Sequence, residues 1–200
     1  MISKIDFLFY SPEIKETSAL DTNDSAHVVR VLRKSKGDVI FVTDGLGTLF
    51  KTQIIEDHPK KCKIQIIDEQ FYDDSLKRKV HLAICPTKNA DRIENLVEKC
   101  VEIGIHSIQF ILSKNTYPKK VNIERMNKIA VSAMKQSLKL HLPSIQEPIK
   151  FEKFISQNHQ NVKKFIAHLN QDAVNIVETK MEKEMLILVG PEGDFSKEEL

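Results

Sequence analysis

The chain has 200 residues, enough for one large domain or two small ones, and its 41% hydrophobic and 29% charged residues are the composition of an ordinary globular protein. No apolar run approaches the roughly 18 residues of a membrane span, and the first ten residues lack the basic flank and small-residue cleavage site of a leader, so a cytoplasmic protein with no membrane partner is expected. Cys62, Cys85 and Cys100 are far apart and form no Cys-x-x-Cys pair. That pattern suggests neither a disulfide framework nor a zinc site, and predicts three buried thiols and no metal.

The net charge of +2 is unevenly spread. Residues 25–36 carry Arg30, Arg33, Lys34 and Lys36 and no acid, and residues 114–141 carry seven Lys or Arg residues against Glu124 alone. Two such segments are what a polyanion-binding face requires, although a solvated helix face has the same composition.

In chain order, Asp21 to Asp24 offer N-caps for a helix that ends at Arg33, with Gly37 and Asp38 as its stop. Residues 39–42 and 48–55 read as strands around the turn Asp44-Gly45-Leu46-Gly47, and residues 62–67 as a third strand after Pro59. Together, residues 1–70 predict a small β-barrel, an architecture that often presents a surface to nucleic acid. The polar, mixed-charge run that follows Ile67 has no sustained period and contains a linker at 71–79.

From residue 80 onward strands alternate with helices, which implies a parallel sheet and a second domain spanning 80–200. Residues 80–85 are apolar enough for a strand buried on both faces. Ile93, Leu96, Val97, Cys100 and Val101 form a helical stripe that stops at Gly104. Strands follow at 105–112, 164–169 and 185–189, and a basic amphipathic helix at 123–140.

The last of these strands runs straight into Gly190-Pro191-Glu192-Gly193-Asp194-Phe195-Ser196. Ligands of α/β sheets gather at such carboxyl ends of strands. Gly190 and Gly193 let the backbone approach a ligand closely, Pro191 stiffens the loop, and Glu192 can face a cationic ligand. By local chemistry alone, such a loop is more often an ordinary strand-to-helix connection. Ser196 and Glu199 have the spacing of a capping box, so a helix is expected to start there. The chain reaches only Leu200, and a natural gene product that continues is expected, because isolated helices need roughly 12–15 residues.

The run 188–193 with Phe195-Ser196 resembles the Gly-Pro-Glu-Gly-Gly-Phe-Ser signature of the RsmE family of SPOUT methyltransferases. Three further segments resemble that family in its order: the His-x-x-Arg-Val-Leu-Arg of 27–33; the helix with Asp91, Arg92, Glu94, Lys99, Glu102 and Gly104; and Gln136-Ser137 followed by Leu142-Pro143. The resemblance implies an α/β fold in which a PUA-like RNA-binding barrel precedes a SPOUT domain with a trefoil knot, incomplete in this chain. It further implies a homodimer, S-adenosylmethionine as cofactor, and methylation of N3 of a uridine in 16S ribosomal RNA of the small subunit. The absence of a Gly-x-Gly-x-x-Gly fingerprint agrees with that cofactor site.

By the same resemblance, His168, Leu169, Leu188, Gly190, Glu192 and Gly193 line the cofactor pocket. Lys99, Glu102, Gln136 and Lys139 position the substrate or stabilise charge, and His27, Arg30, Arg33 and Lys34 contact RNA, the arginines through phosphate rather than base. Lys99 and Glu102 are equally spaced for a surface ion pair, and Lys139 for one more solvated lysine. The chain departs from the family at Asp194, where the second glycine stands, at Lys135, often glutamate, and at Lys139 or His141, commonly arginine. Residues 7–10 lack the arginine that often opens the first strand. With the family's last strand, Arg-rich loop and knotting helix beyond Leu200, these 200 residues are expected to bind cofactor weakly or not at all and to have little activity, and the full-length protein to have both. Two other readings are a non-catalytic RNA-binding protein, which Asp194 favours, and an enzyme for a small anion held at the helix start at Ser196.

Overall fold

A computed structural model describes residues 5–73, 78–117, 119–157, 162–168, 174–180 and 182–200, without the side chain of Val177. The chain divides into two compact units, Met1–Asp74 with Val131–Leu142, and Ser75–Ala130 with Pro143–Leu200.

In the first unit, β1 (Leu8–Tyr10), β2 (Val39–Thr43), β3 (Thr48–Glu56) and β4 (Lys63–Phe71) lie side by side in that order. β1 is parallel to β2, and the other pairings are antiparallel. Strand alternation brings Ile40, Val42, Phe50, Ile54 and Ile64 into one core with Phe9, Ile14, Leu20, Val28 and Cys62. A short α1 (Ile14–Thr17), which the sequence pattern did not reveal, contributes Ile14. Asp21 caps α2 (Thr22–Ala26) by accepting a hydrogen bond from the Asp24 N–H at 2.7 Å. The helix then widens into a π-type turn over His27–Val31, and Arg33 ends it at a left-handed φ of 55°.

The expected turn at 44–47 joins β2 to β3, and the Asp44 carboxylate accepts from the Leu46 and Thr48 N–H groups. Gly47 has a φ of 104°, and a Cβ there would come within 2.9 Å of the Tyr72 carbonyl oxygen and collide with the His141 ring. That crowding marks the segment after Gln136, where the helix expected to run to residue 140 has already ended. Leu140 packs with Ile5, Leu8 and Leu49, its carbonyl accepts from Gly47 N–H and the Thr43 hydroxyl, and Leu142 N–H donates to Gly45. The β-rich unit therefore draws on residues 131–142 as well as on the N-terminal stretch. The expected linker at 71–79 overlaps strands at both ends, since β4 runs to Phe71 and β5 starts at Lys79; residues 74–77 lie outside the described residues.

The second unit holds β5 (Lys79–Ile84), α3 (Ala90–Ile103), β6 (Ser107–Leu112), β7 (Ser144–Lys150), α5 (Phe151–Ile155), β8 (Lys163–Ala167) and β9 (Glu184–Val189); α4 (Ile123–Gln136) begins in it and continues into the segment 131–142. The five strands form one parallel sheet in the order β7-β6-β5-β9-β8. One face buries Ala83, Cys85, Ile111 and Leu186 with Phe151, Phe154 and Phe195. Leu82, Ile84, Ile108 and Phe110, which alternate with that set, are also buried, as a strand covered on both faces requires. Asn89 caps α3, Gly104 ends it at a φ of 88°, and its buried residues are Ile93, Val97, Cys100 and Val101, the stripe expected from the sequence. β7 was missed because Ser144-Ile-Gln-Glu-Pro-Ile-Lys150 has neither an apolar run nor a clean alternation. Its place at the sheet edge is where a strand tolerates Pro148.

All three cysteines are buried free thiols, and burial pushes the thiols of Cys62 and Cys100 up to about 11, Asp57 adding to the effect at Cys62. A thiol-reactive chromophore at neutral pH is expected to titrate none of them in the native protein and all three in denaturant, because the thiolate is the reactive species. Among the described residues no helix is long and apolar enough to cross a membrane.

Candidate functional site

The strand order reverses around β5. From it the chain steps to β6 and β7 on one side, and the sheet is completed by β9 and β8 on the other. A crevice at the carboxyl ends of the strands on either side of such a reversal is the general ligand position of open α/β sheets. Here the ends of β5, β6, β8 and β9 converge on one loop, residues 190–196.

Cys85 N–H donates to the Val189 carbonyl at 3.0 Å, carrying the β5–β9 pairing to the start of the loop. Gly190 follows, and the Phe195 ring lies against it: a Cβ at Gly190 would fall 2.8 Å from Cε2 of that ring. Phe195 is itself buried beside Phe151, ring centroids 5.6 Å apart, so the loop folds back onto the sheet core. Glycine at 190 is thus required by packing within the loop. Gly193 is different: a Cβ there would meet only Asn115 Cβ, at 3.8 Å, which leaves open space over the loop backbone.

The segment after β6 holds the loop from one side. The Asn115 side-chain amide donates to the Asp194 carbonyl at 3.1 Å and reaches the Gly193 carbonyl at 3.5 Å. Ser113 and Thr116 bond each other through both backbone and hydroxyl, shaping that turn. Lys114 N–H donates to Glu199, whose other oxygen accepts from Ser196 N–H at 2.8 Å. The glutamate half of the expected capping box is therefore present, and Ser196 O accepts from the Glu199 and Leu200 N–H groups. Ser196 Oγ is buried without a well-formed hydrogen bond among the described residues. That hydroxyl, with Lys114 behind it, draws the nearby Glu198 carboxyl below the usual range.

From the other side, His168 at the end of β8 donates through Nδ1 to Asp194 Oδ2 at 2.8 Å, and Asp194 Oδ1 accepts from Phe195 N–H at 2.8 Å. Asp194 has a φ of 59°, a conformation natural to glycine and open to aspartate at modest cost. Arg92, in the first turn of α3, stands 3.8 Å from Glu192, both well exposed, which makes a weak pair.

Of the residues expected to line a cofactor pocket, the structure brings His168, Leu188, Gly190, Glu192 and Gly193 together at the ends of β8 and β9, while Leu169 lies outside the described residues. Lys99 and Glu102 are elsewhere in the same unit. Lys99 is seven residues beyond Arg92, about 10 Å further along α3, where it joins Glu102 and Glu98 in an exposed ion cluster; its hydrogen bonds to Glu102 and then Glu98 raise its pKa. Gln136 and Lys139 sit in the segment that packs with the N-terminal sheet. In that unit Arg30 and Arg33 are exposed and Lys34 half-buried, while the His27 ring packs edge-on to Phe7 and Phe9. The basic run 114–141 is partly neutralised: Arg125 pairs with Glu94, Lys128 with Glu124 and Lys135 with Asp24.

Sequence reasoning missed Asn115, Ser113, Thr116 and Phe195 as loop-shaping groups. Only Phe195 carried a signal, through its place in the motif. A polar cavity of about 340 Å³, lined by residues including His81, Ser107, Gln109 and Glu184, opens toward the amino ends of the strands, away from the loop. Among the described residues no group of three His, Cys, Asp or Glu side chains could hold a metal ion.

A parallel sheet with a glycine loop at its reversal defines a ligand-binding α/β domain, and residues 74–200 match the RNA methyltransferase domain model. The chain belongs to that RNA methyltransferase family. Residues 20–67 match the RNA methyltransferase PUA domain model. Among solved structures, the chain is 34% identical to a probable rRNA-methyltransferase from Porphyromonas gingivalis, covering 96% of this chain and 83% of that one with a TM-score of 0.91. A ribosomal RNA small subunit methyltransferase E from Neisseria gonorrhoeae, bound to S-adenosyl methionine, shares the fold at 22% identity and a TM-score of 0.84, covering 96% and 82% of the two chains. The ribosomal RNA small subunit methyltransferase E of Synechocystis is 27% identical over 96% of this chain, which spans 66% of that protein's length.

Proposed function

We propose that the protein transfers a methyl group from S-adenosylmethionine to N3 of a uridine in 16S ribosomal RNA of the small subunit. The observation that carries this reading is the loop 190–196 at the sheet's reversal point, in a chain that belongs to the RNA methyltransferase family and has small-subunit rRNA methyltransferases among its relatives. The loop fits the cofactor: backbone is open above Gly193, Glu192 offers a carboxylate to a cationic group, and Ser196 Oγ is a buried hydroxyl with hydrogen-bonding capacity to spare. His168, Leu188, Gly190, Glu192 and Gly193 would hold it.

When bound, S-adenosylmethionine supplies a methyl group activated by its sulfonium. The protein's part is then alignment and proton management. Uridine N3 carries a proton and is a poor nucleophile until that proton leaves or the developing anion is stabilised. A rigid loop held from both sides, by Asn115 and by His168, suits in-line positioning. Lys99, Glu102, Gln136 and Lys139 remain the proposed groups for substrate positioning and charge stabilisation. His27, Arg30, Arg33 and Lys34 are the proposed RNA contacts, consistent with the exposed arginines at the end of the π-type turn. A cytoplasmic homodimer with a trefoil-knotted catalytic domain belongs to the same reading. Asp194, which favoured a non-catalytic alternative, has a left-handed φ of 59°, a backbone that glycine also adopts, and this supports the catalytic reading.

Mass spectrometry of 16S rRNA nucleosides from cells lacking the gene tests the reading. N3-methyluridine is expected to disappear and to return on complementation. Its persistence in the deletion strain sinks the uridine assignment.

A further inference from the structure

The Asp194 carboxylate divides its two oxygens between different tasks. Oδ1 accepts from the next backbone N–H, of Phe195, and Oδ2 accepts from the His168 ring. The first bond is local and shapes the loop. The second reaches across 26 positions to the end of the neighbouring strand, and it fixes something the backbone does not need. An ionised carboxylate only accepts hydrogen bonds, so the His168 nitrogen that faces it must carry the proton. In a neutral imidazole the other nitrogen is then a bare acceptor. His168 Nε2, on the far edge of the ring, has no hydrogen-bond partner among the described residues, and the side chain is 25% exposed beside the glycine loop.

We propose that Asp194 is a positioning residue of the methyl-donor site: by holding His168 as the Nδ1–H tautomer, it presents Nε2 as an acceptor for a hydroxyl or amino donor of the bound nucleoside. This rests on the functional reading above. It accounts for a carboxylate at a left-handed position that glycine would occupy without strain, since a glycine would take the same backbone and leave the His168 tautomer free. It also gives His168 a defined chemical role, where the sequence pattern offered only proximity.

Asp194→Gly is the informative variant because it relieves the backbone while deleting the carboxylate, so folding is preserved. With imidazole nitrogens labelled, ¹⁵N shifts at about pH 8, where an ordinary imidazole is neutral, are expected to report the Nδ1–H tautomer in the wild type and a mixture in Asp194→Gly. Calorimetric titration with S-adenosylmethionine is expected to show a loss of about 3- to 10-fold in affinity, the size of one net hydrogen bond. Asp194→Asn, whose amide oxygen can still accept from Nδ1–H, is expected to recover most of both signals. In a double-mutant cycle, His168→Ala should remove the effect of changing residue 194. The titrations use the protein at the full length its gene encodes, and a wild type in that form that binds no S-adenosylmethionine overturns the functional reading itself. A wild type that binds, with the tautomer or the affinity unchanged in Asp194→Gly, overturns the role of Asp194 alone.

Discussion

Replacing Lys135 by methionine is expected to destabilise the protein by about 3 kcal/mol, read as a urea midpoint lower by about 1–2 M. The partner left behind is Asp24, whose side chain is 4% exposed and whose Oδ1 lies 2.6 Å from Lys135 Nζ. Its other contact, a 3.4 Å hydrogen bond from Tyr10 N–H, is too long to compensate for a buried charge. Lys135 is 28% exposed, which places the expected loss at the lower end for a broken buried pair. The double replacement Asp24→Leu with Lys135→Met should recover much of the loss, because the cost is that of an unpaired carboxylate. If the single variant unfolds at the wild-type urea concentration, the pair is no more than a surface contact.

Gly190→Ala carries the second large effect, and it falls on binding. The new Cβ would lie 2.8 Å from Cε2 and 3.0 Å from Cδ2 of Phe195. That ring is 6% exposed and packed with Phe151 in the sheet core, so it cannot swing aside as a surface side chain would. The strain, about 1–3 kcal/mol for such overpacking, must be relieved by moving the loop backbone. Affinity for S-adenosylmethionine is expected to fall at least about 10-fold, with far-ultraviolet circular dichroism unchanged. Gly193→Ala is the control: its Cβ meets only Asn115 Cβ at 3.8 Å, so any loss of affinity there reflects contact with the ligand. Equal affinity in Gly190→Ala and wild type would show that the Phe195 contact does not shape the site.

The elements visible in the sequence were those whose own residues determine them. The α3 stripe, the Asp44–Gly47 turn and the apolar strand leading into Gly190 each have a local cause in periodicity or glycine conformation. β7 and α5 were invisible because edge position and packing, rather than pattern, make them. The candidate site divides in the same way. Gly190 and Glu192 stood out as a motif, but the groups that hold the loop, Asn115 and His168 with Asp194, lie 78 or 79 and 26 positions from their partners. No spacing rule joins residues that only the parallel crossovers bring together. Lys99 and Glu102 show the reverse: their i, i+3 spacing was legible, and the structure uses it for an exposed ion cluster.

The passage of residues 131–142 into the N-terminal unit has a consequence for how the protein is made. The Thr43 hydroxyl waits 97 residues for the Leu140 carbonyl, and the apolar cluster of Ile5, Leu8 and Leu49 with Phe41 and Tyr72 is completed only by Leu138 and Leu140. During synthesis the N-terminal stretch of the β-rich unit therefore emerges before the segment 131–142 that completes it. It holds an open seam while α3, β6 and α4 are translated, and contacts of such long sequence separation form late. Where domains commonly fold in turn from the N-terminus, the first unit here can close fully only after residues 131–142 have been made.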